Sequence, residues 1–264
     1  MSAAAMRLHL VDGTYELFRA HYSKRPERRH KAVFGLGDSL RALAADPAER
    51  LTHVAVAFDN PIRSFRNDLF DGYKTGEGVE PELLEQLDAA EEATRALGMV
   101  VWSMDRFEAD DALATGAAKF AGAVEQVRIL TPDKDLGQCI RGETVVQVDR
   151  MRRRVLDEPA LIAMRGVGPA SIPDWLALVG DVADGVPGLP GFGEKSAARL
   201  LAAFVHLENI PDDVQKWPVS IRGAERLGRT LTERRSDALF YRTLTLLRTD
   251  VPLSETLAEL AWSA

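Results

Sequence analysis

The feature that most constrains this chain is the alternation, over residues 1–158, of short apolar runs with longer segments of helical spacing. The runs are rich in β-branched residues and have the length of strands, whereas the segments between them repeat apolar residues every three or four positions. This alternation predicts an α/β fold with a mostly parallel central sheet, because right-handed crossover helices then flank both of its faces. The predicted strands are Leu8–Val11, Val54–Phe58, Met99–Trp102, Val127–Leu130 and Val145–Val148, and the predicted helices are Phe34–Ala45, Glu82–Leu97, Asp110–Phe120 and Asp135–Ile140.

Beyond this region the strand-like runs stop and the pattern becomes entirely helical. We therefore predict two units, an α/β domain over residues 1–158 and a helical lobe over residues 159–264. The segment Arg63–Glu80 has no clear periodicity, and connections of this length are often functional. The helices predicted for the second unit are Ile172–Val179, Lys195–Phe204 and a long one from Ala224 to Leu247.

Composition and charge limit the setting in which the chain works. Its 33 basic and 40 acidic residues give a formal charge of −7, which argues against binding nucleic acid by overall attraction unless the acids are concentrated around cations. The single cysteine, Cys139, excludes an intrachain disulfide and a zinc cage built from thiolates. No apolar run approaches the roughly 20 residues that span a bilayer, and the first residues lack the basic start of a signal peptide. We expect a soluble, cytoplasmic protein with no membrane partner.

Acidic residues collect where the predicted strands end. Asp12 and Asp59 directly follow the first and second strands, and Asp133 and Asp135 follow the fourth. The carboxyl ends of parallel strands line one crevice, so these four acids should meet there. Five more acids stand at the start of the helix after the third strand or just after the first helix of the second unit, namely Glu108, Asp110, Asp111, Asp181 and Asp184.

Helix capping and turn formation explain any one of these acids about as well as metal binding does. The whole group is harder to explain in that way, because clustered carboxylates repel one another unless cations compensate. Oxygen ligands suit Mg²⁺, or Mn²⁺ in its place, rather than zinc. Two such ions about 4 Å apart are a common means of hydrolysing phosphodiesters, and the chain has no convincing Ser-His-Asp or Cys-His pattern. We therefore predict a two-metal phosphodiesterase acting on nucleic acid.

Basic residues flank the acidic positions along the chain. Arg63, Arg66 and Lys74 lie in the aperiodic connection with aromatic residues between them, a mixture that suits a single nucleic-acid strand. Arg19 lies one or two turns along the helix that follows Asp12. Residues 24–31 add a positively charged loop, although such charge runs are usually only solvated surface.

A glycine-rich turn precedes the predicted helix Lys195–Phe204. Within it, Gly191 and Gly193 permit close backbone approach, and the residues after them, including Lys195 and Ser196, offer free N–H groups to a phosphate. The turn is not a Walker A loop, because the spacing is wrong and no strand precedes it. A plain turn between two helices and a helix-hairpin-helix that grips a duplex backbone both stay open.

In chain order, these blocks resemble the 5′→3′ exonuclease family of flap-endonuclease-like nucleases, which includes the N-terminal domain of bacterial DNA polymerase I. The resemblance covers nearly the whole chain and implies a stand-alone nuclease that removes 5′ ends or flaps from DNA, with RNA in RNA–DNA hybrids as a further substrate. We take a monomer as the default state. The blocks that carry the resemblance are Leu10–Gly13, Val56–Asp59, Ser64–Arg66, Gly72–Lys74, Glu108–Asp111, Thr131–Leu136, Gly180–Asp184 and Pro190–Ala197.

The resemblance also implies a role for each site residue. Lys74 would be the arch lysine that approaches the scissile phosphate, and Arg19 and Arg66 would contact substrate phosphates. The glycine turn would be the family's helix-hairpin-helix, where backbone carbonyls hold K⁺ against the duplex. The first Mg²⁺ site would use Asp12, Asp59, Glu108, Asp110 and Asp111, and the second would use Asp133, Asp135, Asp181 and Asp184.

Three positions depart from the family pattern. Glu77 stands where a basic arch residue is usual, and Gly137 and Gly185 replace a larger residue and an asparagine. A catalytically silent DNA-junction binder of the same fold therefore stays open as an alternative. A haloacid-dehalogenase-like phosphatase is a poor alternative, because its nucleophilic aspartate would fall at Leu10.

Overall fold

The computed structural model describes residues 6–24, 26 and 29–263. Six strands form one sheet in the order β3-β2-β1-β4-β5-β6, with β6 antiparallel to its neighbour and the other pairs parallel. The predicted α/β class and its mostly parallel sheet are confirmed, and each predicted strand is present within two residues at either end. The strands are β1 Arg7–Asp12, β2 His53–Asp59, β3 Val100–Met104, β4 Gln126–Leu130, β5 Val145–Asp149 and β6 Arg154–Leu156.

Helices cover both faces of this sheet and form a second lobe beyond it. Strands β1 and β2 are buried on both faces, which is why their sequences are continuous apolar runs rather than alternating ones. The helices are α1 Gly13–His21, α2 Lys31–Ala45, α3 Arg66–Leu69, α4 Pro81–Leu84, α5 Leu87–Arg95, α6 Ala109–Phe120, α7 Glu158–Arg165, α8 Ile172–Val179, α9 Glu194–Phe204 and α10 Ala224–Thr245.

The two faces of the sheet have separate apolar cores. Val11 and Val56 belong to the face that packs against α2 and α5. Leu10 and Ile129 belong to the opposite face, which is covered by α6 and by a segment near the C-terminus. With both faces covered by helices, the edge formed by the carboxyl ends of the strands is left for a ligand.

Several elements differ from the predictions, and α7 was not among the predicted helices. The helix predicted over Glu82–Leu97 is divided into α4 and α5 at a turn, where the buried Gln86 side chain donates a hydrogen bond to the Glu82 carbonyl at 2.9 Å. The segment Asp135–Cys139 is a 3₁₀ turn, and β6 was not predicted because a three-residue charged edge strand has no apolar run. The connection Arg63–Glu80 contains only the short α3.

The second lobe is helical, as predicted, and its apolar core takes in α7 to α10 together with Tyr73 from the connection. The chain then returns to the sheet: Val251 and Leu260 pack into the core beside α6, and Ala261 forms a bridge with His53. None of the helices described for the chain combines the length and the apolar character that crossing a membrane requires.

Candidate active site

Three aspartates from both lobes converge at the carboxyl edge of the sheet. Asp135, Asp181 and Asp184 each place one carboxylate oxygen so that these three oxygens lie within 4.8 Å of one another. Asp135 opens the 3₁₀ turn after β4, whereas Asp181 and Asp184 lie in the loop after α8. All three residues are buried. This is a group of oxygen ligands of the kind that holds a divalent cation.

Asp12, Asp59, Asp110 and Asp133 extend this group, and repulsion between carboxylates contributes, after burial, to the raised pKa values of Asp12 and Asp110. Burial raises the pKa of Asp12 to about 7, and the nearby charges of Asp59 and Asp133 contribute in the same direction. Burial, followed by repulsion from Asp133 and Asp12, raises the pKa of Asp110 well above its usual range. Burial raises the pKa values of Asp135 and Asp184, and the charge of Asp133 raises them further. Asp133 therefore interacts both with Asp110 and with two of the three converging aspartates.

Local geometry fixes Asp12 between β1 and α1. Its Oδ1 caps α1 by accepting a hydrogen bond from the Tyr15 amide at 2.8 Å, and its Oδ2 accepts one from the Thr131 hydroxyl at 2.9 Å. Gly13 allows this turn, because a Cβ there would lie 2.6 Å from the Phe58 ring and 2.8 Å from the Ala57 carbonyl. Asp12 therefore caps α1 and also belongs to the acidic group.

Lys74 joins acids of the two lobes. Its Nζ lies 2.9 Å from Glu108 Oε2 and 2.9 Å from Asp184 Oδ1, and its amide donates a hydrogen bond to the Asp184 carbonyl. Burial alone would lower the pKa of Lys74, but Glu108, Tyr73 and Asp184 together raise it well above its usual range. The ammonium is thus a fixed positive charge against the acidic group.

Close packing brings the two loops around Lys74 together. Gly185 adopts φ +77, and a Cβ at that position would lie 2.0 Å from the Gly72 carbonyl oxygen. A larger residue with a Cβ would push the loops apart. This contact accounts for glycine at a position where the family pattern has asparagine. Glu77, the other departure near Lys74, is exposed.

Arg66 and Asp111 lie in a buried ion pair rather than at the edge of the crevice. Arg66 is 1% exposed, and its Nη1 and Nη2 donate to the two Asp111 oxygens at 2.7 and 2.8 Å. Its Nε donates to the Leu244 carbonyl, and the Arg248 amide donates to Asp111 at 2.8 Å. In this structure both side chains fasten α10 to α6, and the phosphate contact of Arg66 and the metal-binding role of Asp111 that the resemblance implies stay predictions.

Both carboxylate oxygens of Glu108 also have hydrogen-bond or ion-pair partners within the protein. Oε1 accepts hydrogen bonds from the Ser64 hydroxyl and from Arg66, each at 2.8 Å, and Oε2 faces Tyr73 and Lys74. Burial would raise the pKa of Glu108, but Lys74 and Arg66 lower it to about 2. In this arrangement the Glu108 carboxylate pairs with two cationic side chains of the protein, Arg66 and Lys74.

The remaining predicted basic residues differ in their surroundings. Arg19 is hydrogen-bonded to Glu16, Ser39 and Met151, none of which belongs to the acidic group at the strand ends. Arg63 is exposed, 3.9 Å from Asp68. Within the predicted basic loop of residues 24–31, Arg25, Glu27 and Arg28 lie outside the described residues.

The glycine turn connects α8 and α9 with its backbone exposed. Gly191 adopts φ +85, and both Gly191 and Gly193 are exposed while Phe192 between them is buried. The Ser196 hydroxyl caps α9 through reciprocal hydrogen bonds with Gly193, so that side chain is engaged locally. Lys195 is exposed on the first turn of α9. Helices α8 and α9 are thus joined by a turn in which Gly191 and Gly193 are exposed.

Sequence reasoning missed Lys134 as a residue of the site. Its Nζ lies 2.8 Å from Asp181 Oδ2, and it lines a cavity of about 300 Å³ together with Asp12, Asp133 and Arg165. Its place between Asp133 and Asp135 in the sequence was a signal that could have identified it.

The acidic group fits a divalent cation. Asp135 Oδ1 is buried and has no hydrogen-bond partner among the described residues. An unpaired carboxylate oxygen inside a protein is costly unless a cation neutralises it. Asp135 is also one of the three residues whose oxygens converge, so the unpaired atom lies on a residue of the group that could bind the ion.

Two adjoining family descriptions match this chain from end to end. Residues 7–165 match the 5′-3′ exonuclease N-terminal resolvase-like domain, and residues 167–264 match the 5′-3′ exonuclease C-terminal SAM fold. The chain belongs to the 5′-3′ exonuclease family. The resemblance found in the sequence motifs is therefore confirmed.

Curated members of the family align along nearly the whole chain. DNA polymerase I of Mycobacterium leprae is 35% identical over 260 residues, which cover 94% of this chain and 28% of the polymerase. The 5′-3′ exonuclease of Buchnera aphidicola is 33% identical over 254 residues, covering 94% of this chain and 83% of that protein. The chain thus spans less than a third of the polymerase relative and most of the exonuclease relative.

The fold of this chain is also found in solved structures of other proteins. The bacteriophage T5 D15 protein, co-crystallised with metal ions, is similar with a TM-score of 0.73 at 19% identity, covering 90% of this chain and 88% of that chain. At this identity the similarity concerns the fold, and it extends over both lobes.

Proposed function

We propose that this chain is a structure-dependent 5′→3′ exonuclease and flap endonuclease that hydrolyses DNA phosphodiesters with two or more divalent cations. The observation that carries the proposal is the convergence of buried carboxylates from both lobes, with one Asp135 oxygen left unpaired. Membership of the 5′-3′ exonuclease family and the similarity to the Buchnera protein named 5′-3′ exonuclease support the same reaction.

The natural cation in this proposal is Mg²⁺, for which Mn²⁺ can substitute. Asp135, Asp181 and Asp184 would hold one ion, and Asp12, Asp59 and Asp110 would hold another, with Asp133 between them. When bound, such ions supply an activated water and a Lewis acid for the leaving oxygen. The sequence-based assignment is revised in one respect, because Glu108 and Asp111 would position Lys74 and Arg66 rather than bind the ions directly.

Chain residues would orient the substrate beside this centre. Lys74 would leave its pairing with Glu108 and Asp184 to meet the scissile phosphate, since an ammonium is a suitable partner for phosphate oxygens. Arg63 would contact the strand entering from the same side, and Arg19 would act from the far end of α1. The substrate would be DNA with a 5′ flap or end, and RNA in an RNA–DNA hybrid would be a further substrate.

The glycine turn between α8 and α9 would bind the duplex away from the cut. The exposed backbone at Gly191 and Gly193 would approach the phosphates, Lys195 would add a positive charge, and Ser196 would hold the start of α9 in place. K⁺ coordinated by backbone carbonyls would complete this contact. We propose that the protein acts in this way as a monomer in the cytoplasm.

The test is cleavage of a labelled 5′-flap duplex with Mg²⁺ and with EDTA. We expect metal-dependent release of the flap, and we expect Asp135→Asn to slow it by roughly 100-fold or more, about 2.7 kcal/mol of barrier. Asp68→Asn, which removes an exposed acid near Arg63, should cut at the wild-type rate. Binding of the duplex by the wild-type protein without any metal-dependent product would instead identify a silent junction binder and would overturn the proposal.

A further inference from the structure

The loop between β5 and β6 is strongly basic. Residues 150–154 contain four arginines and no acid, in a chain whose formal charge is −7. Arg152, Arg153 and Arg154 are exposed, and the side chain of Arg152 is 69% accessible. None of the residues assigned above to metal or substrate binding belongs to this hairpin.

The hairpin is held in place by its own neighbours. Buried Asp149 accepts hydrogen bonds from the Arg152 amide at 3.0 Å and from Arg152 Nη1 at 2.9 Å. Arg150 donates to the Ser39 hydroxyl at 2.8 Å and so ties the loop to α2. Arg153 adopts φ 50, and its amide donates a hydrogen bond to the Arg150 carbonyl at 3.4 Å, whereas its guanidinium makes no hydrogen bond or ion pair with the described residues. The backbone of the hairpin is therefore held in place before any ligand binds.

A continuous surface leads from the acidic group to this hairpin. The cavity of about 300 Å³ that contains Asp12 and Asp133 is also lined by Lys134 and Arg165. An adjoining cavity shares Lys134 and Arg165 and extends to Arg154. The basic side chains that line the second cavity are Lys134, Arg154 and Arg165, and its one acid is Asp149 beneath the hairpin.

We propose that the β5–β6 hairpin is an additional nucleic-acid-binding element that contacts the phosphate backbone of DNA extending from the active site on the β6 side. This inference rests on the proposed nuclease function. Guanidinium groups match phosphate oxygens in geometry as well as charge, and such contacts add affinity without sequence preference. The hairpin would thereby localise a strong positive patch on a protein that is acidic overall.

The test is a triple variant, Arg152→Gln, Arg153→Asn and Arg154→Gln, in which asparagine suits the left-handed backbone at position 153. Its matched control is Arg41→Gln, Arg50→Asn and Arg95→Gln. The control removes three exposed arginines near the amino ends of the strands, and one of these, Arg50, also has positive φ at 47. Both variants change the net charge by the same amount.

Binding is measured by fluorescence anisotropy on a 5′-flap duplex over a series of salt concentrations, with Ca²⁺ replacing Mg²⁺ under conditions where no product forms. We expect the hairpin variant to bind about 10- to 100-fold more weakly at about 0.1 M salt, with the salt slope reduced by about 2 to 3, and the control to bind as the wild type does. Cleavage with Mg²⁺ should show a raised KM with kcat unchanged.

Equal binding and equal salt slopes for the hairpin variant and the wild type would overturn the inference while leaving the nuclease proposal standing. The same holds if the control loses as much affinity as the hairpin variant, because the effect would then be one of net charge. Failure of the wild-type protein to cut the duplex at all would instead count against the proposed function.

Discussion

At the scale of single residues, Arg66 shows how a motif residue can support a site without facing a ligand. It is 1% exposed and joins Asp111 and Glu108 of the helix start to backbone carbonyls at the end of α10. Removing one partner of a buried ion pair leaves the other charge without compensation. The integrity of the junction between the lobes therefore depends on this side chain.

Arg66→Ala is expected to lower the free energy of unfolding by roughly 3 to 5 kcal/mol, because Asp111 would keep a buried charge without its partner. Urea denaturation measures the change. Arg63→Ala removes an exposed arginine three residues away and should alter stability by less than about 0.5 kcal/mol. A surface role for Arg66 would be indicated if the two variants were equally stable.

Lys74 gives a second prediction at this scale. Its ammonium lies 2.9 Å from Asp184, one of the three converging acids, so a divalent cation entering the group must displace or face that charge. Lys74→Met should bind Mn²⁺ about 3- to 10-fold more tightly in calorimetric titration, which is roughly 0.6 to 1.4 kcal/mol. Its cleavage of the flap should nevertheless fall.

Lys195→Met is the matched control for this titration, because Lys195 is exposed on α9 outside the acidic group. It should leave the Mn²⁺ affinity unchanged. Weaker binding by Lys74→Met would contradict the account, since it would mean that Lys74 helps to build the cation site.

The positions of the acids could be predicted from sequence, but the partners of Arg66 could not. Asp12 and Asp59 follow apolar runs, and the parallel sheet places strand ends together whatever the details of packing. Arg66 finds partners between 42 and 180 residues away in the chain. Those contacts depend on how α10 meets α6, which no local pattern in the sequence reports.

At the scale of secondary-structure elements, a charged cluster joins the middle of β1 to the middle of β4 through Glu49, which precedes β2. His9 of β1 lies 3.0 Å from Glu49, and Arg128 of β4 lies 2.9 Å from the same carboxylate. Hydrogen bonding to His9 lowers the pKa of Glu49 to about 2 against the opposing effect of burial. Burial lowers the pKa of His9.

These shifts give a pH dependence with a definite sign. The pKa of Glu49 in the folded state is below its ordinary value of 4.5, so its contribution to stability is complete above about pH 4.5 and is lost as the pH falls towards about 2. Glu49→Gln should therefore be less stable than the wild type by roughly 1 to 3 kcal/mol near pH 7, and the difference should fall by about half near pH 3.5.

Urea unfolding at both pH values measures this difference, with Glu125→Gln as a control at an exposed acid that pairs with Arg50. A difference between Glu49→Gln and the wild type that stayed constant on acidification would show that the carboxylate charge is not what stabilises the cluster.

The limits of a secondary-structure element could be predicted where its apolar residues are regularly spaced. The path of a segment could not be predicted where contacts with distant residues determine it. The limits of α8 were predicted correctly, because its apolar spacing is regular and Gly180 follows its last residue. The connection from Arg63 to Glu80 gave no prediction of its path. Its course is set by Tyr73 packing into the core of the helical lobe and by the Gly72–Gly185 contact, both of which depend on distant residues.

At the scale of the whole molecule, the acidic group requires both lobes. Asp135 comes from the turn after β4, Asp181 and Asp184 come from the loop after α8, and Lys74 spans the two. The net charge of −7 is compatible with a DNA-binding protein, because acids are concentrated at the strand ends while the β5–β6 hairpin and α9 present basic side chains. The central claim is that the two lobes share one divalent-cation centre.

Diffraction from crystals soaked in Mn²⁺ tests that claim most directly, because anomalous scattering locates the ion independently of any assay. We predict an anomalous peak in coordination contact with Asp135, Asp181 and Asp184 together, which is absent from crystals of Asp184→Asn. Mn²⁺ bound to the crystals only at other positions, with no peak among these three carboxylates, would contradict the account.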